Sequence, residues 1–375
     1  MLKAQASKVG LGVRSDAWSR LVATFIVTLL FGLTGCASSV APTAPTPSVK
    51  AGVAPAATPT DMPAPSAAPV PSAPGSILYA NDSGLWTLQP STLAVRQVSA
   101  AAPKTVLASP AVSPDGRQVA YSFYDAARAR EKRDNGTDLY LMPVEGGAGR
   151  LLLAHEAVGV WLGEPAWRPD GKSLLFTYRD ALGKESIQSV GIDGESRQVV
   201  VQDAASPTLS RDGRRLAYLT TDAQSYGQTL WLADADGSKA RSLVGTPQFE
   251  SLATPRLSPD GARIAFIAIG GPDQQPPRAA ATPPSDPLAW LRPPPAAAHG
   301  ILYNVWTVNA DGNDLRRLTL DLEVEVAVLA WSPDGRWLVF ESDHGLNLVS
   351  ADGKEVHYLA KQYAVGGIDW YRPMP

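Results

Sequence analysis

A four-residue turn appears five times along the chain, and its spacing limits the folds open to it. Ser113-Pro114-Asp115-Gly116 recurs as Arg168-Pro169-Asp170-Gly171, Ser210-Arg211-Asp212-Gly213, Ser258-Pro259-Asp260-Gly261 and Ser332-Pro333-Asp334-Gly335. The Asp-to-Asp steps are 55, 42, 48 and 74 residues, the longest containing a proline-rich insertion. Each turn leads into a short apolar run ending in an aromatic: Val119-Ala120-Tyr121, Leu174-Leu175-Phe176, Leu216-Ala217-Tyr218, Ile264-Ala265-Phe266 and Leu338-Val339-Phe340. Bounded by turn residues, these runs read as strands. Another strand follows in each unit, as in Leu139-Tyr140-Leu141, Leu230-Trp231-Leu232 and Leu346-Asn347-Leu348. A second tight turn comes next at Asp193-Gly194, Asp236-Gly237, Asp311-Gly312 or Asp352-Gly353, where glycine supplies positive φ. A last strand begins near Arg150, Arg197, Arg241, Arg316 or His357.

Four strands per unit at a period of ~40–50 residues specify the blades of a propeller. Five units are complete, and the chain ends supply a sixth. Ile77-Leu78-Tyr79, Leu85-Trp86-Thr87 and Val95-Arg96-Gln97-Val98 fit strands two, three and four with no first strand before them. Ile368-Asp369-Trp370-Tyr371 fits a first strand with nothing after it. The expected fold is therefore all-β: a six-bladed β-propeller of four-stranded blades over residues 76–375, its last strand completing the first blade. That closure hides two sheet edges that would otherwise invite aggregation. Without the insertion at 271–300, the period is ~44 residues per blade.

The chain of 375 residues is 45% hydrophobic and carries a net charge of −3, which gives no electrostatic ground for nucleic-acid binding. Lys3, Lys8, Arg14 and Arg20 stand against Asp16 alone in residues 1–35, so the remainder is more acidic than the whole. An acidic folded part argues against polybasic attachment to anionic lipids. The one cysteine, Cys36, allows no intrachain disulfide.

After Arg20 comes an apolar run from Leu21 to Leu33. As a helix it covers only about 20 Å of a ~30 Å hydrocarbon core, a length that fits a secretory signal better than a permanent span. Leu33-Thr34-Gly35-Cys36 resembles the lipobox of bacterial lipoproteins. The resemblance implies a signal peptide over 1–35, cleavage before Cys36, and acylation of that cysteine; Ala37, being non-acidic, implies passage to the outer membrane in a diderm. Several acyl chains give stable attachment where one is marginal. An uncleaved anchor helix is the other possibility. Residues 37–75 hold ten prolines and eleven alanines but only Lys50 and Asp61 as charges. Such a segment cannot bury enough apolar surface to fold. As extended polyproline it reaches roughly 120 Å, so 36–75 reads as a lipidated tether.

The Ser-Pro-Asp-Gly turn followed by a strand ending in Tyr or Phe resembles the repeat of the TolB propeller family, and that of prolyl-oligopeptidase-type propellers. The resemblance covers residues 76–371. It implies a domain that binds protein partners in the periplasm, although fold alone does not carry function across. Two departures from that family are expected: the tether in place of the α/β domain that precedes the TolB propeller, and a lipid anchor.

No catalytic, metal or cofactor site is legible. Asp115, Asp170, Asp212, Asp260 and Asp334 occupy turns, where aspartate bonds nearby amides. Asp234-Ala235-Asp236-Gly237 lacks the later ligands of a calcium loop. His155, His299, His344 and His357 form no closely spaced ligand pair, and neither a Gly-x-Ser-x-Gly elbow nor a phosphate loop is present. Trp167, Trp331 and Trp370 share a column with Val112, Leu209 and Leu257, which favours packing between blades over carbohydrate stacking.

The turns joining strands one to two and three to four share one face of a propeller; the irregular loops gather on the other. These are 123–137, with Arg128-Ala129-Arg130-Glu131-Lys132-Arg133; 221–228, with Tyr226; and the insertion 271–300, which has nine prolines and the pair Trp290-Leu291. Variable loops on a rigid scaffold are where binding resides. Arg130, Arg133, Tyr226, Trp290 and Leu291 are thus the candidate binding face. The expectation is a monomeric, non-enzymatic envelope lipoprotein, held to a membrane through Cys36, whose loop face engages an envelope protein, peptide or glycan. The alternative is a hydrolase or lyase using Glu164, Glu250, Glu323 and Glu325 at the channel mouth.

Overall fold

The computed structural model of the chain describes residues 73–272, 303–319 and 327–373. Leu33, Thr34, Gly35, Cys36, the tether to residue 72, Trp290, Leu291, Glu323 and Glu325 lie outside the described residues. Six four-stranded antiparallel sheets stand in a ring. Strands β1 (Ser76–Asn81), β2 (Gly84–Leu88) and β3 (Val95–Ala100) belong to blade 1. Blade 2 holds β4 (Thr105–Val112), β5 (Gln118–Asp125), β6 (Thr137–Pro143) and β7 (Arg150–Leu153). Blade 3 holds β8 (Trp161–Trp167), β9 (Ser173–Arg179), β10 (Glu185–Gly191) and β11 (Gln198–Gln202). Blade 4 holds β12 (Ala205–Leu209), β13 (Arg215–Thr221), β14 (Gln228–Asp234) and β15 (Arg241–Gly245). Blade 5 holds β16 (Phe249–Leu257), β17 (Arg263–Gly270), β18 (Asn304–Asn309) and β19 (Arg316–Arg317). Blade 6 holds β20 (Leu329–Trp331), β21 (Trp337–Ser342), β22 (Gly345–Ser350) and β23 (Val356–Ala360). The last strand, β24 (Gly367–Tyr371), pairs with β1 from Ser76↔Tyr371 to Ala80↔Gly367 and so becomes the inner strand of blade 1.

The middle strands are buried on both faces, which is why they are continuous apolar runs rather than alternating ones. In β1, Ile77 and Tyr79 join a cluster with Val339 and Leu348 of blade 6, while Leu78 and Ala80 join one with Val119 and Tyr121 of blade 2. The period-2 alternation of the strand deals successive side chains to opposite neighbours. Every interface between adjacent blades is filled in this way. Outer strands such as β3 and β11 are largely exposed.

The repeated turn owes its sequence to its hydrogen bonds. Ser113 Oγ donates to Asp115 Oδ1 at 2.6 Å and accepts from Gln118 N at 2.8 Å, while Asp115 Oδ1 also accepts from Arg117 N at 3.1 Å. Ser210–Asp212, Ser258–Asp260 and Ser332–Asp334 repeat the side-chain contact. Arg168 replaces the serine in blade 3, where Asp170 keeps only the bond from Lys172 N. Gly116 closes the turn at φ 70°, a left-handed conformation that favours glycine.

The tryptophan column belongs to the blade interfaces. Trp167 Nε1 donates to Ala111 O of the preceding inner strand at 2.9 Å, and Trp331 Nε1 does the same to Arg256 O at 2.9 Å. Trp370 is 5% exposed and donates instead to Pro74 O at 3.0 Å, just before β1. The run 123–137 departs from a simple loop. Strand β5 continues to Asp125, whose Oδ1 caps a short helix, α1 (Ala126–Lys132), by accepting from Ala127 N and Arg128 N.

Replacing Trp370 with alanine removes both the interface packing and the bond to Pro74. A loss of about 3–5 kcal/mol in urea denaturation is the expected outcome, and removal of residues 366–375 should abolish the cooperative transition altogether.

Candidate functional site

Two places concentrate polar chemistry: the central channel and the junction of blades 2 and 3 on the loop-rich face. The channel is lined by the six inner strands. In four of them the register with the neighbouring strand slips at the same place. The slip falls at an X-Pro pair: Ser109-Pro110, Glu164-Pro165, Ser206-Pro207 and Thr254-Pro255, with φ of 50–56° at the first residue. Proline has no N–H to give the ladder, so only the residue before it has a donor that needs a partner outside the ladder. Left-handed non-glycine residues are strained and persist where the surroundings fix them.

Here the fixing groups are neighbouring blades. Ser109 N donates to Gly366 O at 2.5 Å and Thr254 Oγ1 to Ala327 O at 2.5 Å. Glu164 accepts from Thr177 Oγ1 at 2.7 Å and from Ser206 N and Oγ at 3.0 Å. Two residues beyond each bulge the inner strands place Ala111, Ala166, Thr208 and Arg256, and the corresponding positions of β20 and β24 are Ala330 and Asp369. The two charges in this ring are opposite. Burial pushes the Arg256 guanidinium below its usual value, and Asp369 and Glu164 oppose that shift. Burial raises the Asp369 carboxyl, against its bonds from Val112 N and Trp370 N.

This geometry bears on acid–base chemistry in the channel. Glu164 is saturated by hydroxyl and amide donors and so holds blades 3 and 4 together. Glu250 is exposed at the start of β16. Among the described residues no group of three or more His, Cys, Asp or Glu side chains is placed to hold a metal ion. The Ser/Asp turns lie at the opposite end, where Ser210, Arg211, Asp212, Pro259 and Asp260 border an open depression.

The second place is a buried clasp. His155 Nδ1 lies 2.5 Å from Asp138 Oδ1, and its Nε2 lies 2.8 Å from Asp134 Oδ2. A carboxylate at each nitrogen favours the doubly protonated ring, in which both nitrogens donate. Arg128 Nη1 donates to Asp138 Oδ2 at 2.8 Å and its Nη2 to Gly136 O at 2.6 Å. Two anions thus meet two cations, which is how a buried ionic group is tolerated. Gly136 is needed for contact, since a Cβ there would strike the His155 ring and come within 2.7 Å of Val160 O. His155 has no free nitrogen for a substrate, so the clasp is a structural lock, not a catalytic dyad.

Arg128, part of the basic run on the irregular segment 123–137, is therefore an internal partner of the clasp. Arg130 and Arg133 are exposed at the end of α1, Arg133 in the left-handed conformation at φ 54°. Tyr226 is 58% exposed on the β13–β14 hairpin of blade 4, so it is not brought beside the two arginines. The clasp carries no sequence motif, because Asp134, Asp138 and His155 have no motif spacing. The signal available was an aspartate pair flanking Asn135-Gly136 after a basic run.

Burial opposes the charged forms, but the Asp134 and Asp138 hydrogen bonds outweigh it and raise His155 above its ordinary 6.5. Burial is likewise outweighed for Asp134 and Asp138, which His155, Arg128 and backbone N–H groups hold below 3.8. The histidine's contribution is complete below pH 6.5 and fades as pH rises through its folded value; the aspartates' is complete above 3.8 and fades as pH falls through theirs. Urea denaturation should therefore show stability declining above pH 6.5, a decline missing from His155→Gln. Asp138→Ala, which leaves buried cations uncompensated, should cost about 3–5 kcal/mol.

No family model matches the chain. It is 30% identical over 123 residues to the Tol-Pal system protein TolB of Anaeromyxobacter dehalogenans, a match spanning 32% of this chain and 27% of that protein. It is 42% identical over 55 residues to TolB of Polaromonas naphthalenivorans, 12% of whose length is matched. The uncharacterized peptidase YuxL of Bacillus subtilis is 30% identical over 166 residues, 21% of its length. These alignments span about a quarter or less of the curated relatives. Among solved structures, TolB of Acinetobacter baumannii superposes with a TM-score of 0.58 at 20% identity, over 80% of this chain and 67% of that one. A TolB structure from Agrobacterium tumefaciens gives 0.51 at 19% identity, over 74% and 86%. The blade count, the closure through β24 and these likenesses agree: the described part of the chain is a TolB-like six-bladed β-propeller.

Proposed function

We propose that the chain is an exported lipoprotein, acylated at Cys36, whose propeller serves as a binding module for another component of the bacterial cell envelope. One observation carries this: the ring gathers near-identical Ser/Asp turns on one face and its irregular segments, α1 among them, on the other. A rigid ring with one variable face presents loops without having to deform. The partial matches to Tol-Pal system proteins support an envelope setting. Attachment to the membrane is assigned to the lipobox Leu33-Thr34-Gly35-Cys36; among the described residues no helix is long and apolar enough to cross a membrane. The proline-rich stretch to residue 75 is the spacer between lipid and propeller.

A hydrolase or lyase at the channel mouth is the competing function. It requires two carboxylates with raised pKa values in one cleft. Burial raises Asp369, while Glu164 is tied into the Ser206 bonds and Glu250 is exposed at the start of β16.

Metabolic labelling with an alkyne fatty acid should mark the wild type and not Cys36→Ala, and the variant should move from the membrane to the soluble fraction. Retained label in Cys36→Ala would end the lipoprotein assignment. Crosslinking and pull-down from membranes, with the intact protein and with 271–300 deleted, should recover an envelope protein. Equal recovery from both would exclude Trp290-Leu291 as the contact.

A further inference from the structure

Two neighbouring loops on the irregular face expose apolar side chains together. Leu182 tops the β9–β10 hairpin at 94% exposure, and Val158, on the β7–β8 connection, is 57% exposed. Ala181 and Ala157 are exposed beside them. The loops touch, since a Cβ on Gly159 would lie 3.7 Å from Ala181 Cβ. The hairpin is held firmly: Gly183 N donates to Asp180 O at 3.0 Å, and Asp180 Oδ1 accepts from Leu182 N and Lys184 N at 2.9 Å. Nothing in such a turn calls for leucine at its tip, where polar residues serve as well. Exposed apolar groups clustered on adjacent loops mark contact sites more often than scattered ones do.

The free charge on the end of α1 beside this patch is mainly positive. Asp134 bonds His155 at 2.8 Å and Thr137 N donates to Val160 O at 3.2 Å, so the clasp draws the end of α1 alongside the Val158 connection. Arg130, Lys132 and Arg133 are exposed there, with no ion pair among the described residues and only Glu131 between them. The acids around the patch are engaged: Glu156 with Arg197 at 3.3 Å, Glu185 with Arg179 at 2.5 Å, and Asp180 in its turn.

We propose that the strip from Arg130 and Arg133 across Val158 to Leu182 docks an extended segment of another envelope protein, one that carries acidic side chains next to apolar ones. This rests on the binding-module function and narrows it to the junction of blades 2 and 3. Leu182 and Val158 enter apolar contacts of the partner, while the arginines and Lys132 speed encounter and fix register. His155 works from beneath, by holding the two halves of the strip together.

Site-specific photocrosslinking in the full-length protein, in its own cell envelopes, tests this. p-Benzoylphenylalanine is placed at Leu182, at Val158, at Tyr226 on the same face of blade 4, and at Lys354 on the turn face. The expected result is one protein captured from Leu182 and Val158, with the contact mapped by mass spectrometry to a segment rich in Asp and Glu. Arg130→Glu with Arg133→Glu should cut that adduct tenfold or more at an unchanged thermal midpoint, and reversing the captured acids should restore it. An adduct on a segment without acids, on lipid or on a second copy of this chain would overturn the proposal, as would yields indifferent to the double reversal. Capture from Tyr226 but not from Leu182 or Val158 would overturn this strip and leave the binding function standing. No capture from any loop-face position would overturn both.

Discussion

Burial between blades is the constraint on which everything else depends. A blade such as β1–β3 with β24 hides Ile77 and Tyr79 against one neighbour and Leu78 and Ala80 against the other. A large apolar side chain contributes about 1.5–3 kcal/mol when fully buried, and no single blade can bury both of its faces. Only a closed ring leaves no face uncovered. Closure at the β24–β1 seam is thus a condition for every other interface, although it rests on five residues. The inner strands add polar ties across the same interfaces: Trp167 to Ala111, Trp331 to Arg256 and Ser206 to Glu164.

What was legible in the sequence was whatever local chemistry dictates. The repeated turn uses a carboxylate at its third residue and glycine at positive φ, with a serine hydroxyl before them in all but blade 3, so it announces itself wherever it occurs. The buried strands next to it are apolar throughout because both faces are covered. Seam closure followed from counting strands at the two ends. The tryptophan column was recognisable as interface packing because aliphatic residues share it.

Long-range polar arrangements were not legible. Glu164 reads as a free channel acid until Ser206, a blade away, is seen to saturate it. Arg128 reads as one of a run of loop charges until Asp138 is seen facing it. The four X-Pro bulges do lie at a fixed offset before four of the five turns, but the sequence does not say that the residue ahead of the proline adopts left-handed φ. Leu182 is a similar case: in a hairpin tip it looks incidental, and only its place beside Val158 and the end of α1 gives it meaning. Pairings set by the ring, rather than by neighbours in the chain, leave no spacing to read.

The way the chain enters the ring has a mechanical consequence. Force arriving from the N-terminal side meets the propeller at Ala73 and Pro74 and passes into β1. That strand is not an edge: β24 flanks it on one side and β2 on the other, and the Trp370 indole grips the carbonyl of Pro74. Tension along β1 loads two antiparallel ladders in shear at once, so their hydrogen bonds share the load instead of unzipping one by one. The strand that comes last in the sequence is the one that bolts down the first.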